Sequence, residues 1–322
     1  MDNGTEGTVA DEWTTDGSND HEVKLTSSGE YRLKEVSAPQ GYDLAAPIDF
    51  TVNSDGTIVH NGKSVSAIVM TDTPKTTSVK ATKVWNDNNN QDGKRTDATF
   101  SLYRKVGDGA ESKVSGKDKT VLANATGDAL TVQWTGLPQY ENGKPVTYSV
   151  KESTANTNGY KTTVEGDSSS GYTFTNTYTP QTTAISVHKV WEDSDNQDGI
   201  RPNNVHVELY ANGVATGRTA TITGANNWTV TFSGLPVYDS GKAIAYSVRE
   251  QAINGYTTKI SGTAANGYTI TNSHTPQTVT IQGTKTWNDD NNLTGSRPKS
   301  ITIDLYADGK KVDSRVATAS GS

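Results

Sequence analysis

Apolar and polar residues alternate with a period of two along much of this chain. Ser78-Val79-Lys80-Ala81-Thr82-Lys83-Val84-Trp85, Tyr148-Ser149-Val150-Lys151-Glu152 and Tyr172-Thr173-Phe174-Thr175-Asn176 each divide their side chains between two faces. This is the pattern of a half-buried strand. Threonine, valine and tyrosine dominate these runs, and Asn-Gly, Asp-Gly and Ser-Gly pairs punctuate the turns between them. No stretch carries a long amphipathic helical period. The pattern predicts an all-β chain built from sandwiches of about seven short strands each.

The strand pattern recurs in blocks. KVWNDNNNQDGKR (Lys83 to Arg95) returns as KVWEDSDNQDGIR (Lys189 to Arg201), with 9 of 13 positions identical, and a third copy, KTWNDDNNLTGSR, starts at Lys285. TGLPQYENGKPVTYSVKE (Thr135 to Glu152) returns as SGLPVYDSGKAIAYSVRE (Ser233 to Glu250), and TFTNTYTPQT (Thr173 to Thr182) as TITNSHTPQT (Thr269 to Thr278). The order is constant and the spacings are 106, 98 and 96 residues. Such spacings are domain-sized and too long for a solenoid. Joints near Thr73-Pro74-Lys75, Thr179-Pro180-Gln181 and Thr275-Pro276-Gln277 set the boundaries. They predict a partial unit at 1–75, full units at 76–180 and 181–277, and a leading half at 278–322. Short proline-containing joints favour a stiff, elongated array. The two incomplete ends are expected of a piece of a longer protein.

Composition narrows the function. Without cysteine there is no disulfide, thiolate metal site or cysteine nucleophile. The net charge of −7 and the lack of any basic stripe argue against nucleic acid as a partner. No apolar run is long enough to span a bilayer. The opening MDNGTEGTVADEW lacks the charged and apolar regions of a signal peptide. A hydrophobic fraction of 32% is thin for one core of 322 residues and suits several small ones.

Three polar residues in each full unit fall on strand faces predicted to point inward. Lys83 shares a face with Trp85, Glu152 with Tyr148 and Val150, and Asn176 with Tyr172 and Phe174. Lys189, Glu250 and Asn272 repeat the set beside Trp191, Tyr246 and Val248, and Tyr268 and Ile270. An amine, a carboxyl and a carboxamide are costly to bury unless they satisfy one another. Should they meet, burial would lower the lysine pKa and raise the glutamic acid pKa. The neutral amine could then attack the carboxamide carbon, with the acid shuttling protons and ammonia leaving. A lysine–asparagine isopeptide bond would remain, formed once per unit without turnover. Each residue alone has a plainer reading. The lysine would be an exposed residue laying its stem on the indole, the glutamate a solvated rim charge and the asparagine an edge residue. Their joint recurrence with the same face parity favours the cross-link.

KVWxDxxxQDGxR, the GLPxYxxGKxxxYSVxE run and the TxTNxYTP ending resemble the collagen-adhesin B-type (Cna B-type) repeats of Gram-positive surface proteins. The resemblance covers residues 78–180 and 182–276 fully and 278–322 as a leading half, and the second unit departs at Ser273-His274. It implies prealbumin-like, Ig-like β-sandwiches with an isopeptide bond. Lys83 and Lys189 take the lysine role, Glu152 and Glu250 the acid, and Asn176 and Asn272 the acceptor. Tyr31 to Asp72 instead resembles SpaA-like pilin domains, with Glu35 as the acid and Asp72 at the acceptor place. The lysine-bearing strand is missing there, and Lys285 has neither acid nor acceptor. The resemblance implies a stalk of a cell-wall adhesin or pilus-like protein, extracellular and monomeric, with host-matrix binding through regions outside this chain. No cofactor is expected.

Three other readings compete with this one. Asp193, Asp195 and Asp198, and Asp87, Asn90 and Asp92, resemble a calcium loop, but the glycine comes one place late and the closing glutamate is missing. They read as polar turns, with weak cation binding as the alternative. A conventional enzyme lacks support, because the five histidines have no i,i+4 partners and no G-x-S-x-G or phosphate loop is present. A directly matrix-binding adhesin module is the serious rival.

Overall fold

A computed structural model describes residues 7–15, 20–152 and 158–318. The first six residues of the opening segment and the last four of the chain lie outside the described residues. Among the described residues regular structure is β-strand, with two short 3-10 turns and no α-helix. The chain packs as two compact units. One comprises Met1–Ile185, Leu209–Thr216 and Thr231–Ser247, and the other Ser186–Glu208, Gly217–Val230 and Val248–Ser322.

The first unit opens with β1 (Gly29–Leu33), β2 (Tyr42–Asp43), β3 (Ile48–Val52), β4 (Ile58–His60), β5 (Lys63–Val65) and β6 (Thr73–Pro74). Strands β1, β3, β4 and β5 form one antiparallel sheet in that order, and β2 pairs with β6. Arg32 and Asp49 stand opposite one another across β1 and β3 and join side chains at 2.6 and 2.8 Å. The β4–β5 hairpin turns on Asn61 and Gly62, both at positive φ. That two-residue turn matches strand twist and accounts for the Asn-Gly signal.

The first full repeat follows with β7 (Thr76–Asn86), β8 (Ala98–Val106), β9 (Ser112–Lys113), β10 (Lys119–Val121), β11 (Thr131–Pro138), β12 (Tyr140–Glu141), β13 (Lys144–Glu152), β14 (Lys161–Asp167) and β15 (Gly171–Thr177). One sheet runs β11-β7-β15-β14 and the other β10-β8-β13-β12, with β9 added beside β8. Val79, Ala81, Trp134, Leu137 and Phe174 from the first sheet pack with Phe100, Leu102, Val121, Val146, Tyr148 and Val150 from the second. The alternation read from the sequence is therefore the two-layer core. The first and last strands are direct neighbours: β7 and β15 run parallel, with Lys83 opposite Phe174 and Trp85 opposite Asn176. β14 lies antiparallel on the far side of β15.

The second repeat continues with β16 (Thr182–Glu192), β17 (Asn204–Ala211), β18 (Val214–Thr223), β19 (Thr229–Pro236), β20 (Tyr238–Asp239), β21 (Lys242–Ala243), β22 (Tyr246–Glu250), β23 (Thr257–Thr263) and β24 (Gly267–Ser273). Within the second compact unit β16 again runs parallel to the last strand, with Lys189 opposite Ile270 and Trp191 opposite Asn272. β23 flanks β24 antiparallel. The chain closes with the hairpin of β25 (Ser300–Ala307) and β26 (Lys310–Thr318). The segment carrying Lys285 is not a strand there. No strand among the described residues pairs with it, and an unpaired strand leaves its backbone groups to water.

A buried lysine, carboxylate and carboxamide between first and last strands

Lys83 and Lys189 lie wholly inside their repeats, and their side chains are 0% exposed. Odd positions of β7 point inward, so Val79, Ala81 and Lys83 form one continuous buried row. Glu152 ends the inward row Val146-Tyr148-Val150 of β13, in the opposite sheet. Asn176 ends the row Tyr172-Phe174 of β15. The three rows converge. Lys83 Nζ donates to Glu152 Oε2 at 3.1 Å, and Asn176 Nδ2 donates to Glu152 Oε1 at 3.5 Å. Thr162 on β14 closes the set from outside the predicted trio, its hydroxyl donating to Asn176 Oδ1 at 2.8 Å.

The second repeat builds the same site with a different hydrogen-bond arrangement. Lys189 Nζ lies 3.4 Å from Glu250 Oε1 and donates to the carbonyls of Val190 and Ile270 at 3.2 and 3.4 Å. Both carboxamide atoms of Asn272 are buried without a hydrogen-bond partner. Thr258, the counterpart of Thr162, donates instead to Glu250 Oε2 at 2.8 Å. A buried amide with neither group satisfied costs about 1–3 kcal/mol for each unmade bond.

Burial pushes the Lys83 amine below its ordinary value, opposed by the Glu152 charge. The same burial, opposed by Glu250, brings Lys189 down to about 8. With a pKa of about 8, roughly a tenth of the amine is the neutral nucleophile at pH 7. Each ammonium also sits over an indole: Lys83 Nζ is 4.6 Å from the Trp85 ring centroid and Lys189 Nζ is 4.1 Å from that of Trp191.

The incomplete ends are arranged differently. Glu35 accepts the backbone N–H of Ala45 at 2.7 Å, and Asp72 lies just before β6. No hydrogen bond joins Glu35 to Asp72 among the described residues. Lys285 is exposed, donates to the Thr286 carbonyl at 2.7 Å and lies 4.1 Å over Trp287. Its stem-on-indole pose is the plain reading of a lysine two places before tryptophan.

The candidate calcium loops are clamps on an arginine. Asp87 takes Arg95 through both oxygens at 2.6 and 2.7 Å, and also accepts the Asn90 N–H at 3.0 Å and the Tyr160 hydroxyl at 2.7 Å. Asp193 accepts from Arg201, Asn196 and Tyr256 in the same way. Burial works against the Asp87 charge, but the Arg95 and Tyr160 hydrogen bonds hold its carboxyl below the usual range. Arg201 does so more strongly for Asp193. With their lone pairs occupied, these carboxylates are poor cation ligands. Among the described residues no group of three or more His, Asp or Glu is placed to hold a metal. The run Asn88-Asn89-Asn90 lies wholly in the left-handed region, as does Ser194-Asp195-Asn196. That conformation costs ordinary L-residues about 1–2 kcal/mol each and Asn or Asp least, which explains the composition of the loop. Arg95 and Arg201 were visible in the repeat, but their partners Tyr160 and Tyr256 were not. The signal that points to them is the G-Y pair present in both copies, Gly159-Tyr160 and Gly255-Tyr256.

The last acidic residue of each loop holds the joint that follows the repeat. Asp92 Oδ2 accepts the Tyr178 hydroxyl and the Gln181 N–H, both at 2.9 Å. Asp198 Oδ2 is met by His274 Nε2 at 3.0 Å and by the Gln277 N–H at 3.2 Å. The departure at His274 therefore replaces a hydroxyl by an imidazole at the same clamp.

Comparison with known proteins agrees with this architecture. The family model described as the Cna protein B-type domain matches residues 79–177, 185–273 and 281–322, and one described as a prealbumin-like fold domain matches residues 2–64. The chain is 40% identical over 300 residues to a collagen adhesin of Staphylococcus aureus, covering 92% of this chain and 24% of that protein. It thus spans about a quarter of the relative's length. The crystal structure of two B repeat units of the collagen-binding protein of Staphylococcus aureus is similar, with a TM-score of 0.53 and 33% identity. That likeness covers 91% of this chain and 86% of the other. Both families are structural, non-enzymatic domains, and the expectation of tandem prealbumin-like domains holds. By its matched repeats, the chain belongs to the Cna protein B-type domain family.

Proposed function

We propose that this chain is a stalk or spacer segment of a Gram-positive surface adhesin, with each full repeat locked by an autocatalytic Lys–Asn isopeptide bond. The observation that carries the cross-link is the convergence of Lys83, Glu152 and Asn176 inside one core, with the amine and the carboxamide on the same carboxylate. Lys189, Glu250 and Asn272 form the second such site. Each bond joins the first strand of a repeat to its last, so a force pulling on the ends of the repeat meets a covalent tie. The domain division is 1–75, 76–180, 181–277 and 278–322. Only 76–180 and 181–277 hold a full set of reacting groups. Glu35, Asp72 and Lys285 stay unlinked.

An extracellular, cell-surface location and matrix binding elsewhere in the full protein rest on the adhesin relative. The second reading, direct matrix binding by this segment, is favoured by that relative's name as a collagen adhesin. Repetition of near-equivalent units favours the spacer.

Intact mass of the recombinant chain tests the cross-link. The parent is expected to be lighter than its sequence by two ammonia molecules, and Glu152→Ala and Glu250→Ala should each restore one. An unmodified parent mass would overturn the reading. Saturable binding of the same chain to immobilised collagen or fibronectin would overturn the spacer assignment.

A further inference from the structure

Thr162 and Thr258 occupy equivalent places that the trio does not use. Thr162 on β14 stands directly opposite Asn176 in the β14–β15 ladder, and Thr258 on β23 stands opposite Asn272 in the β23–β24 ladder. The residues of β14 and β23 are exposed along the whole of each strand. These two hydroxyls reach over the sheet edge to the site. Thr162 donates to the carboxamide oxygen itself at 2.8 Å, and Thr258 to the acid at 2.8 Å.

Resting on the cross-linking reading above, we propose that the threonine facing the acceptor asparagine takes part in bond formation. Thr162 is a catalytic residue that polarises the Asn176 carbonyl, and Thr258 is a positioning residue that holds the Glu250 carboxyl. The step in the first repeat balances as follows. The Lys83 Nζ lone pair attacks Asn176 Cγ, and the carbonyl π electrons move onto Oδ1. The proton lost from Nζ passes through Glu152 to Nδ2. The Cγ–Nδ2 bond then breaks, ammonia departs, and the electrons on Oδ1 re-form the carbonyl of the new Nζ–Cγ amide. Oδ1 is where negative charge develops, and the Thr162 hydroxyl already points at it. Glu152 faces the nitrogen atoms on the other side. The division of labour is that of an oxyanion donor and a proton shuttle. The geometry also explains why Asn176 presents its oxygen outward and its nitrogen to the acid: a hydroxyl donor on one side and a carboxylate acceptor on the other fix the amide orientation.

In the second repeat the hydroxyl fastens Glu250 Oε2, leaving Oε1 as the oxygen nearest Lys189. Thr258 therefore acts through the acid.

The test is a time course of ammonia loss by the full chain after a pulse of cell-free synthesis. Intact mass follows the number of bonds, and peptide mapping assigns each bond to Lys83–Asn176 or Lys189–Asn272. Thr162→Val keeps the β-branched shape on an exposed strand position and removes only the hydroxyl. It is expected to slow the first bond at least tenfold while the second forms at the parental rate in the same molecule. Thr162→Ser should restore the first bond. Thr258→Val and Thr258→Ser make the same comparison in the second repeat. A parental rate in Thr162→Val overturns the proposal, and so does a serine variant as slow as the valine one, which would mark a structural role. A parent chain that loses no ammonia in either repeat brings down the cross-linking reading itself, and the threonine assignment with it.

Discussion

Phe174 stands directly opposite Lys83 in the parallel ladder between β7 and β15, and its ring lies 5.0 Å from that of Phe100 in the facing sheet. One aromatic pair thus bridges both sheets immediately beside the amine. The register that places Phe174 there also places Asn176 opposite Trp85, two residues further along the same inward row.

Removing that ring should open the core and loosen the register together. Phe174 is 1% exposed, so Phe174→Ala is expected to destabilise the first repeat by about 3–5 kcal/mol. Denaturant titration would read this most cleanly in a Glu152→Ala background, where the repeat is unlinked. A loss under about 1 kcal/mol would contradict the packing described.

The arginine clamps should differ in worth by burial. The Asp87 side chain is 1% exposed and Asp289, its third-copy counterpart, is 29% exposed. Asp87→Ala strands the Arg95 guanidinium and the Tyr160 hydroxyl, so a loss of about 3 kcal/mol is expected. Asp289→Ala removes a solvent-screened pair and should cost less than about 1 kcal/mol. Parallel melting curves of the two variants check the contrast.

The joint after the second repeat should respond to pH, and the one after the first should not. His274 Nε2 faces the Asp198 carboxylate, and Nδ1 faces the Gly255 carbonyl at 2.8 Å. Both partners accept only, so both contacts are hydrogen bonds only when the ring is protonated. The hydrogen bond to Asp198, reinforced by that to Gly255, raises the His274 pKa above 6.5. A raised folded-state pKa gives stability that is complete below the unfolded value and is lost as pH rises through the folded one. Asp198, held low chiefly by the same bond, works in the opposite direction and loses its contribution only in acid. The clamp is therefore firmest in the mildly acidic range. A histidine NMR titration should find His274 titrating above the ordinary histidine value of 6.5. His274→Tyr should flatten the fall in melting temperature above neutral pH, and an unchanged slope would count against the clamp.

Lys189 gives the opposite sign in an unlinked chain. Its folded-state pKa of about 8 lies below the ordinary 10.5 because burial disfavours the charge. The folded state holds a penalised ammonium at low pH and sheds that penalty as pH rises through about 8. In Asn272→Ala, which has no acceptor, stability of the second repeat should rise between about pH 8 and 10. Denaturant midpoints across that range measure it, and a flat or falling profile would mean the amine is better solvated than its burial implies.

Much of the site was legible because strand alternation assigns faces without a structure. Val79, Ala81 and Lys83 share a face by parity alone, as do Val150 with Glu152 and Phe174 with Asn176. The loop clamps were not legible. Asp87 and Tyr160 are 73 residues apart, and their hydrogen bond leaves no periodic trace. The acidic loop therefore read only as a polar turn, with weak cation binding as the alternative. Thr162 escaped for a related reason: it sits on an exposed edge strand, where nothing in the pattern distinguishes it from its neighbours.

The sequence by itself determined the all-β class, the repeated units and the inward rows, because short-range sterics and the two-residue period of a strand are local properties. Only the tertiary structure decided that β7 lies parallel to β15, that Glu152 crosses from the opposite sheet to lie within 3.1 Å of Lys83, and that Thr162 reaches the acceptor oxygen. Those relations depend on which strands become neighbours. Strand neighbours are chosen by burying all the rows in one core at once, and no single segment carries that information.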